Sequence, residues 1–166
     1  MRQLLLGVFL VFPLLVGAQE KCNCCAEEQL AFDFWVGQWH VTDTDGKHVG
    51  DNTIEKVEAG CVLKENWTSA KAGFTGTSYN FYNKQTKQWE QLWIDNSGNH
   101  LKLKGSWVGN AMVLASAPFK REDGKNYVNR ITWTPNKDGT VRQLWEVLQS
   151  GAVVNTVFNG IYHPKQ

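Results

Sequence analysis

Residues 61–109 read CVLKENWTSAKAGFTGTSYNFYNKQTKQWEQLWIDNSGNHLKLKGSWVG. Within this stretch, segments 61–69, 73–83, 87–95 and 99–106 are rich in Thr, Val, Ile and aromatic residues, and Asn83-Lys84 and Asn96-Ser97-Gly98 punctuate them as turns. The same rhythm extends in both directions, to segments 37–44 and 48–58 on one side and 110–117, 126–134, 139–148 and 153–162 on the other. Asp45-Gly46, Ala59-Gly60, Gly109-Asn110, Asp123-Gly124, Pro135 through Gly139 and Ser150-Gly151 mark the remaining turns. No gap is long enough for a crossover helix. The one helical stretch is Ala26 to Trp35, with Leu30 and Phe34 four apart and Glu27 and Glu28 in its first turn, where the helix dipole favours them.

Ten short antiparallel strands need a fold that hides their edges. The expected fold class is all-β: a single antiparallel up-and-down barrel of 8–10 strands, with a short N-terminal helix plugging one end. A β-sandwich is the competing arrangement, but the connections are uniformly short and no long Greek-key return is present.

The N-terminal segment sets an expectation of export. Residues 1–18 open with Met1 and Arg2, continue as an apolar run from Leu4 to Val16 and end in Val16-Gly17-Ala18, the small residues a signal peptidase needs. The expected organisation is a signal peptide at 1–18, a Cys-containing tail at 19–26 and a barrel domain at 27–166. Taking those 18 residues off the 166 leaves 148, with sixteen basic and sixteen acidic side chains. A formally neutral chain argues against nucleic acid, whose binding draws on a basic patch, and no later apolar run approaches the ~18 residues of a membrane span. Gln19-Glu20-Lys21 before Cys22 do not suit lipid attachment. Export to the periplasm or the medium is the expectation.

The residues around Gly37 carry a resemblance. A short helix leading into Gly37-Gln38-Trp39 resembles the Gly-x-Trp signature of lipocalins and the wider calycin group. The larger set is Phe32 to Trp39, Gly60 to Trp67, Trp89 to Asn96, Arg130 to Pro135 and Val141 to Glu146. It resembles a family of exported bacterial proteins known only as a domain of unknown function, over nearly the whole chain after the signal. The resemblance implies a calycin-like barrel and an envelope or secreted location, and it brings no substrate or catalytic residues. By the same resemblance, Arg142 or Arg130 would pack across Trp39, as a late-strand Arg does in lipocalins.

A recurring triplet points to a site. Glu65-Asn66-Trp67, Gln91-Leu92-Trp93 and Gln143-Leu144-Trp145 each place an acid or amide two residues before a tryptophan, so both share a strand face. They fall in the third, fifth and ninth segments, which run the same way in a meander, and each Trp is the seventh residue of its segment. In a barrel, Glu65, Gln91 and Gln143 would lie near mid-depth while Trp67, Trp93 and Trp145 ring one mouth. Trp39 and Trp133 would sit at the other end as a plug. The mixture suits a partly apolar small molecule, with the rings giving contact area and the polar groups giving orientation. Arg130 joins the candidate ligand-binding set, a buried guanidinium needing Glu65 or an aromatic face as partner. The alternative is a solid core in which the eight Trp fill the barrel and the Glu and Gln side chains satisfy their indoles.

Cys22, Cys24, Cys25 and Cys61 are disulfide candidates in an oxidising compartment. Cys24 or Cys25 with Cys61 is the preferred bridge, because it would tether the helix to the wall, and Cys22 would pair with its close neighbour or stay free. Clustered thiolates could instead hold copper or zinc, but the paired set of two C-x-x-C knuckles and a nearby histidine are absent, so no metal is assigned. His40, His48, His100 and His163 lack ligand-pair spacing. His100 or His163 would carry a haem-binding variant of the fold, and no cofactor is otherwise implied. Gly76-Thr77-Ser78-Tyr79-Asn80 ends in Asn and lies in a strand, so it is no nucleophile elbow. Without a phosphate loop or other catalytic motif, a reaction would rest on Glu65 or Asp95 alone, and none is assigned.

Overall fold

Hairpin chemistry builds the sheet. Side chains at strand ends bond the backbone of the turn that follows: Asp43 accepts from the N–H groups of Asp45 and Lys47, Asn83 from Gln85 and Thr86, and Asp95 from Ser97 and Asn99. In the computed structural model, which describes residues 22–165, the strands are β1 (Gly37–Asp43), β2 (His48–Val57), β3 (Val62–Ser69), β4 (Thr75–Asn83), β5 (Gln88–Asp95) and β6 (His100–Val108). They continue as β7 (Ala111–Ala115), β8 (Phe119–Lys120), β9 (Asn126–Pro135), β10 (Val141–Gln149) and β11 (Ala152–Pro164). The expected signal segment 1–18 lies outside the described residues, as do residues 19–21 of the tail.

β1 to β7 pair antiparallel in sequence, β7 pairs with β9, β9 with β10, β10 with β11, and β11 pairs back onto β1, so ten strands close a barrel. The ten expected segments are these ten strands. The addition is β8, a two-residue extension on β9 where Phe119 packs on Tyr127 and the Arg121 guanidinium lies 4.3 Å from the Tyr127 ring centroid. Among the described residues no helix is long and apolar enough to cross a membrane.

The helix differs from expectation. Instead of two or three turns over 26–35, a four-residue helix α1 (Glu27–Leu30) is followed by a 3₁₀ turn at Asp33–Trp35. The break comes at Phe32, whose backbone leaves helical geometry. A 3₁₀ turn repeats every three residues, so it aims Phe32 and Trp35 together into the barrel end while Leu30 stays exposed. Both rings are fully buried, stacked with centroids 5.1 Å apart, and Trp133 lies 5.1 Å from Phe32 and 5.4 Å from Trp35.

Backbone carbonyls of the plug accept from wall indoles. Trp39 Nε1 donates to the Trp35 carbonyl at 2.9 Å, and Trp89 Nε1 to the Glu28 carbonyl at 2.8 Å. Disulfides Cys24–Cys61 and Cys22–Cys25 fasten the tail, the first to the residue preceding β3. One end of the barrel is therefore solid. Because Phe32 touches four aromatic neighbours there, Phe32→Ala is expected to cost about 3–5 kcal/mol of unfolding free energy, read from denaturant midpoints. A loss under about 1 kcal/mol would mean that the plug is not part of the cooperative core.

An acid-floored aromatic cavity as candidate functional site

Strand alternation decides what enters the lumen. From the plugged end outward, β3 turns Leu63, Glu65 and Trp67 inward, β5 turns Trp89, Gln91 and Trp93, and β10 turns Val141, Gln143 and Trp145. Glu65, Gln91, Gln143, Trp67, Trp93 and Trp145 all line one cavity of about 400 Å³, with Tyr162 and Ile131. The polar groups lie next to the plug side and the indoles towards the open mouth, where Phe74, Leu101, Val157 and Phe158 complete the wall. Val49 and Val157 are residues skipped by the β1–β2 and β10–β11 registers. Those bulges re-aim them into the mouth.

Two glycines keep the lumen open. A Cβ on Gly76 would stand 2.1 Å from the Trp93 ring, and one on Gly50 would stand 2.5 Å from the Trp67 ring. Each indole therefore lies along the inner surface of the neighbouring strand instead of crossing the barrel. Trp145 is held differently, its Nε1 donating to Asn129 Oδ1 at 2.8 Å.

The floor is a directional hydrogen-bond network. Asn80 Nδ2 donates to the Leu63 carbonyl at 3.1 Å, which can only accept, and to Ser78 Oγ at 2.8 Å. Ser78 must then donate onward, to Glu65 Oε2 at 2.6 Å. Asn80 Oδ1 accepts from Gln91 Nε2 at 2.7 Å, which leaves Gln91 Oε1 without a partner among the described residues. Across the floor, Asn52 Nδ2 donates to Glu65 Oε1 at 2.7 Å, and the Tyr162 hydroxyl donates to Gln143 Oε1. Gln143 Nε2 also remains uncommitted among the described residues.

Burial pushes the Glu65 carboxyl up from an ordinary 4.5 to about 7, against the lowering effect of Ser78 and Asn52. Burial, then the Glu65 charge, pushes the Tyr162 hydroxyl well above its ordinary value, so it stays a neutral donor. At the mouth, desolvation raises the Asp95 carboxyl, but bonds from the Asn99 side chain and the Asn99 and Ser97 backbones outweigh it and hold it below the usual range.

Other expected site residues lie elsewhere. Arg130 is not in the cavity: it faces outward on β9 and pairs with Glu146 across the β9–β10 register, Nη2 to Oε2 at 2.8 Å. One step of strand alternation separates it from the inward Ile131. Neither Arg130 nor Arg142 packs on Trp39; Arg142 bonds Asn159 outside, and Trp39 is covered by Tyr162 and Trp35. His100 is exposed and His163 meets Thr42 Oγ1, so no histidine lines the cavity among the described residues, whereas the haem variant needs one there. With all four cysteines in disulfides, no thiolate is left for a metal.

His40 and His48, spaced like unrelated residues, are brought together by the β2 bulge beside Asp51. Their rings stack at 4.3 Å and 6°, which aims their in-plane lone pairs along parallel planes, and Lys165 already occupies Asp51 at 2.8 Å. That geometry does not converge on an ion. The polar residues missed at sequence level are Asn52, Ser78, Asn80 and Tyr162. For Ser78 and Asn80 the signal was the inverted pattern of β4, where Gly76, Ser78 and Asn80 face in while Tyr79 and Phe81 face solvent.

The chain matches no protein-family model and no curated protein. The ten-stranded barrel is compatible with a calycin-like fold.

Glu65 also sets a pH dependence. Its folded pKa lies above the unfolded value, so between about 4.5 and 7 the folded state keeps a proton that the unfolded chain releases. Stability should fall as pH rises through that window, by about 3 kcal/mol in all, and level off above it. Glu65→Gln should remove this slope in denaturant unfolding measured across the window. An unchanged slope in the variant would show that Glu65 is solvated in the folded state.

Proposed function

We propose that this chain is an exported small-molecule-binding protein of calycin-like type, its signal peptide at 1–18 and its barrel domain at 27–166. The supporting observation is the convergence of three acid- or amide-plus-tryptophan pairs, from strands running the same way, on a cavity that glycines hold open. Its volume falls in the range of small-molecule sites, and its walls combine a large apolar surface with a few fixed polar groups. Two disulfides fit an oxidising compartment outside the cytosol. Trp67, Trp93 and Trp145 would grip an apolar body while Glu65, Gln91 and Gln143 orient its polar end.

Titration with the neutral fluorophore N-phenyl-1-naphthylamine tests the cavity. Saturable binding with quenching of tryptophan emission is expected, and Trp93→Ala should weaken it about tenfold, the loss of one packed ring. Gly76→Ala should do the same without removing any contact atom, because its Cβ drives the Trp93 ring into the lumen. Native mass spectrometry of the protein from its source cell should show a retained ligand mass. Absence of both binding and retained mass would favour a purely structural barrel.

The Glu65 carboxyl, held near neutrality, supports a second reading as a general base acting on the bound molecule. Turnover lost in Glu65→Gln with the fold intact would be required to adopt it.

A further inference from the structure

We infer that the cavity selects a cationic ligand, an aliphatic or aromatic amine whose ammonium group seats against Glu65 and whose apolar body lies between the indoles. This inference rests on the reading of the cavity as a ligand site.

Charge around the cavity is one-sided. Glu65 at the floor and Asp95 at the mouth both line it, and no Lys, Arg or His does so among the described residues. A carboxylate or phosphate ligand would be desolvated against two acids with no counter-charge, which is prohibitive in an apolar enclosure. A cation reverses the sign of both terms.

The floor also has the acceptors that an ammonium needs. Asn52 and Ser78 each donate to one oxygen of Glu65, the arrangement that suits a carboxylate. These two bonds leave further lone pairs on both oxygens. Gln91 Oε1 is a second free acceptor, because Asn80 commits the amide's nitrogen. It is close by, since Gln91 Nε2 and Glu65 both reach the same Ser78 hydroxyl, at 3.5 and 2.6 Å. Three N–H donors of an ammonium can thus be shared between a carboxylate and an amide oxygen. Above them, the indole faces of Trp67, Trp93 and Trp145 add cation–π attraction for a charge descending the barrel.

Among the described residues no other group at the floor competes for the role. Tyr162 from β11 is the other titratable side chain facing Glu65, and it is held neutral. Asn52 from β2 and Ser78 from β4 do not ionise in this range. The free Gln143 Nε2 is a donor, suited to a hydroxyl or carbonyl on the ligand body. Asp95 at the rim remains ionised and draws cations towards the mouth.

The test is calorimetric titration of the purified protein with a matched series, 4-phenylbutylamine, 4-phenyl-1-butanol and 4-phenylbutanoate, at roughly pH 8 and again at roughly pH 5. At the higher pH the amine should bind at least about tenfold more tightly than the alcohol, with the acid weakest. At the lower pH the ligand amine keeps its proton but Glu65 gains one, so the amine's advantage should shrink towards parity. Glu65→Gln should abolish that advantage at the higher pH, the amine falling to the level of the alcohol measured in the same variant. If the variant does not fold, the wild-type order and its pH dependence still decide the matter. An alcohol or acid that equals the amine would overturn the cationic assignment while leaving the cavity as a binding site. If none of the three binds and N-phenyl-1-naphthylamine also fails, the binding site itself is refuted and the inference with it.

Discussion

A carboxyl group buried at the centre of a β-barrel is the constraint around which the rest is organised. Glu65 is almost wholly removed from solvent, and desolvation alone would force it neutral. Asn52 and Ser78 hold it part-way, with Asn80 and Gln91 fixing the direction of every bond behind them. A barrel built only for stability would place an aliphatic side chain here, since a buried acid with neutral partners lowers stability at neutral pH. The acid makes sense where something with complementary charge arrives.

Aromatic residues divide between two tasks along the barrel axis. At the helix end, Phe32, Trp35, Trp39 and Trp133 pack edge and face into a closed plug, and two of the wall indoles there bond carbonyls of the N-terminal segment. At the other end, Trp67 and Trp93 lie on glycines and Trp145 is tied sideways to Asn129. The same residue type thus fills one end and lines the other. What separates the outcomes is the neighbour: a ring inserted from the N-terminal segment in one case, a missing Cβ in the other.

Much of this was legible beforehand, because a strand's period of two turns a written spacing into a shared face. The ten strand segments, the six triplet residues on one inner surface and the placement of Trp39 and Trp133 near the helix follow from that period plus strand direction. The need to hold the helix to the wall calls for Cys24 or Cys25 to bridge to Cys61, and the fold selects Cys24. Other features depend on contacts that no local pattern encodes. A guanidinium's need for a buried partner does not say which face of β9 turns inward; the register puts Ile131 inside and gives Arg130 to Glu146. The pairing of His40 with His48 requires a bulge, which shifts faces by one residue. The helix broke early because Phe32 and Trp35 gain more by entering the barrel than the backbone loses by leaving α geometry. Asn52, Ser78 and Asn80 carry no local mark of an inward face, because small polar residues in strands usually face water and only the Glu65 carboxyl gives them a reason to face in.

The protonation equilibrium of Glu65 tests this view most directly. Site-resolved carbon NMR of its side-chain carboxyl, followed against pH in the empty protein, should give a midpoint near 7, and saturation with 4-phenylbutylamine should move that midpoint down by at least about one pH unit. A midpoint near 4.5 in the empty protein, unmoved by the amine, would place the carboxyl in water and contradict the cavity floor described above.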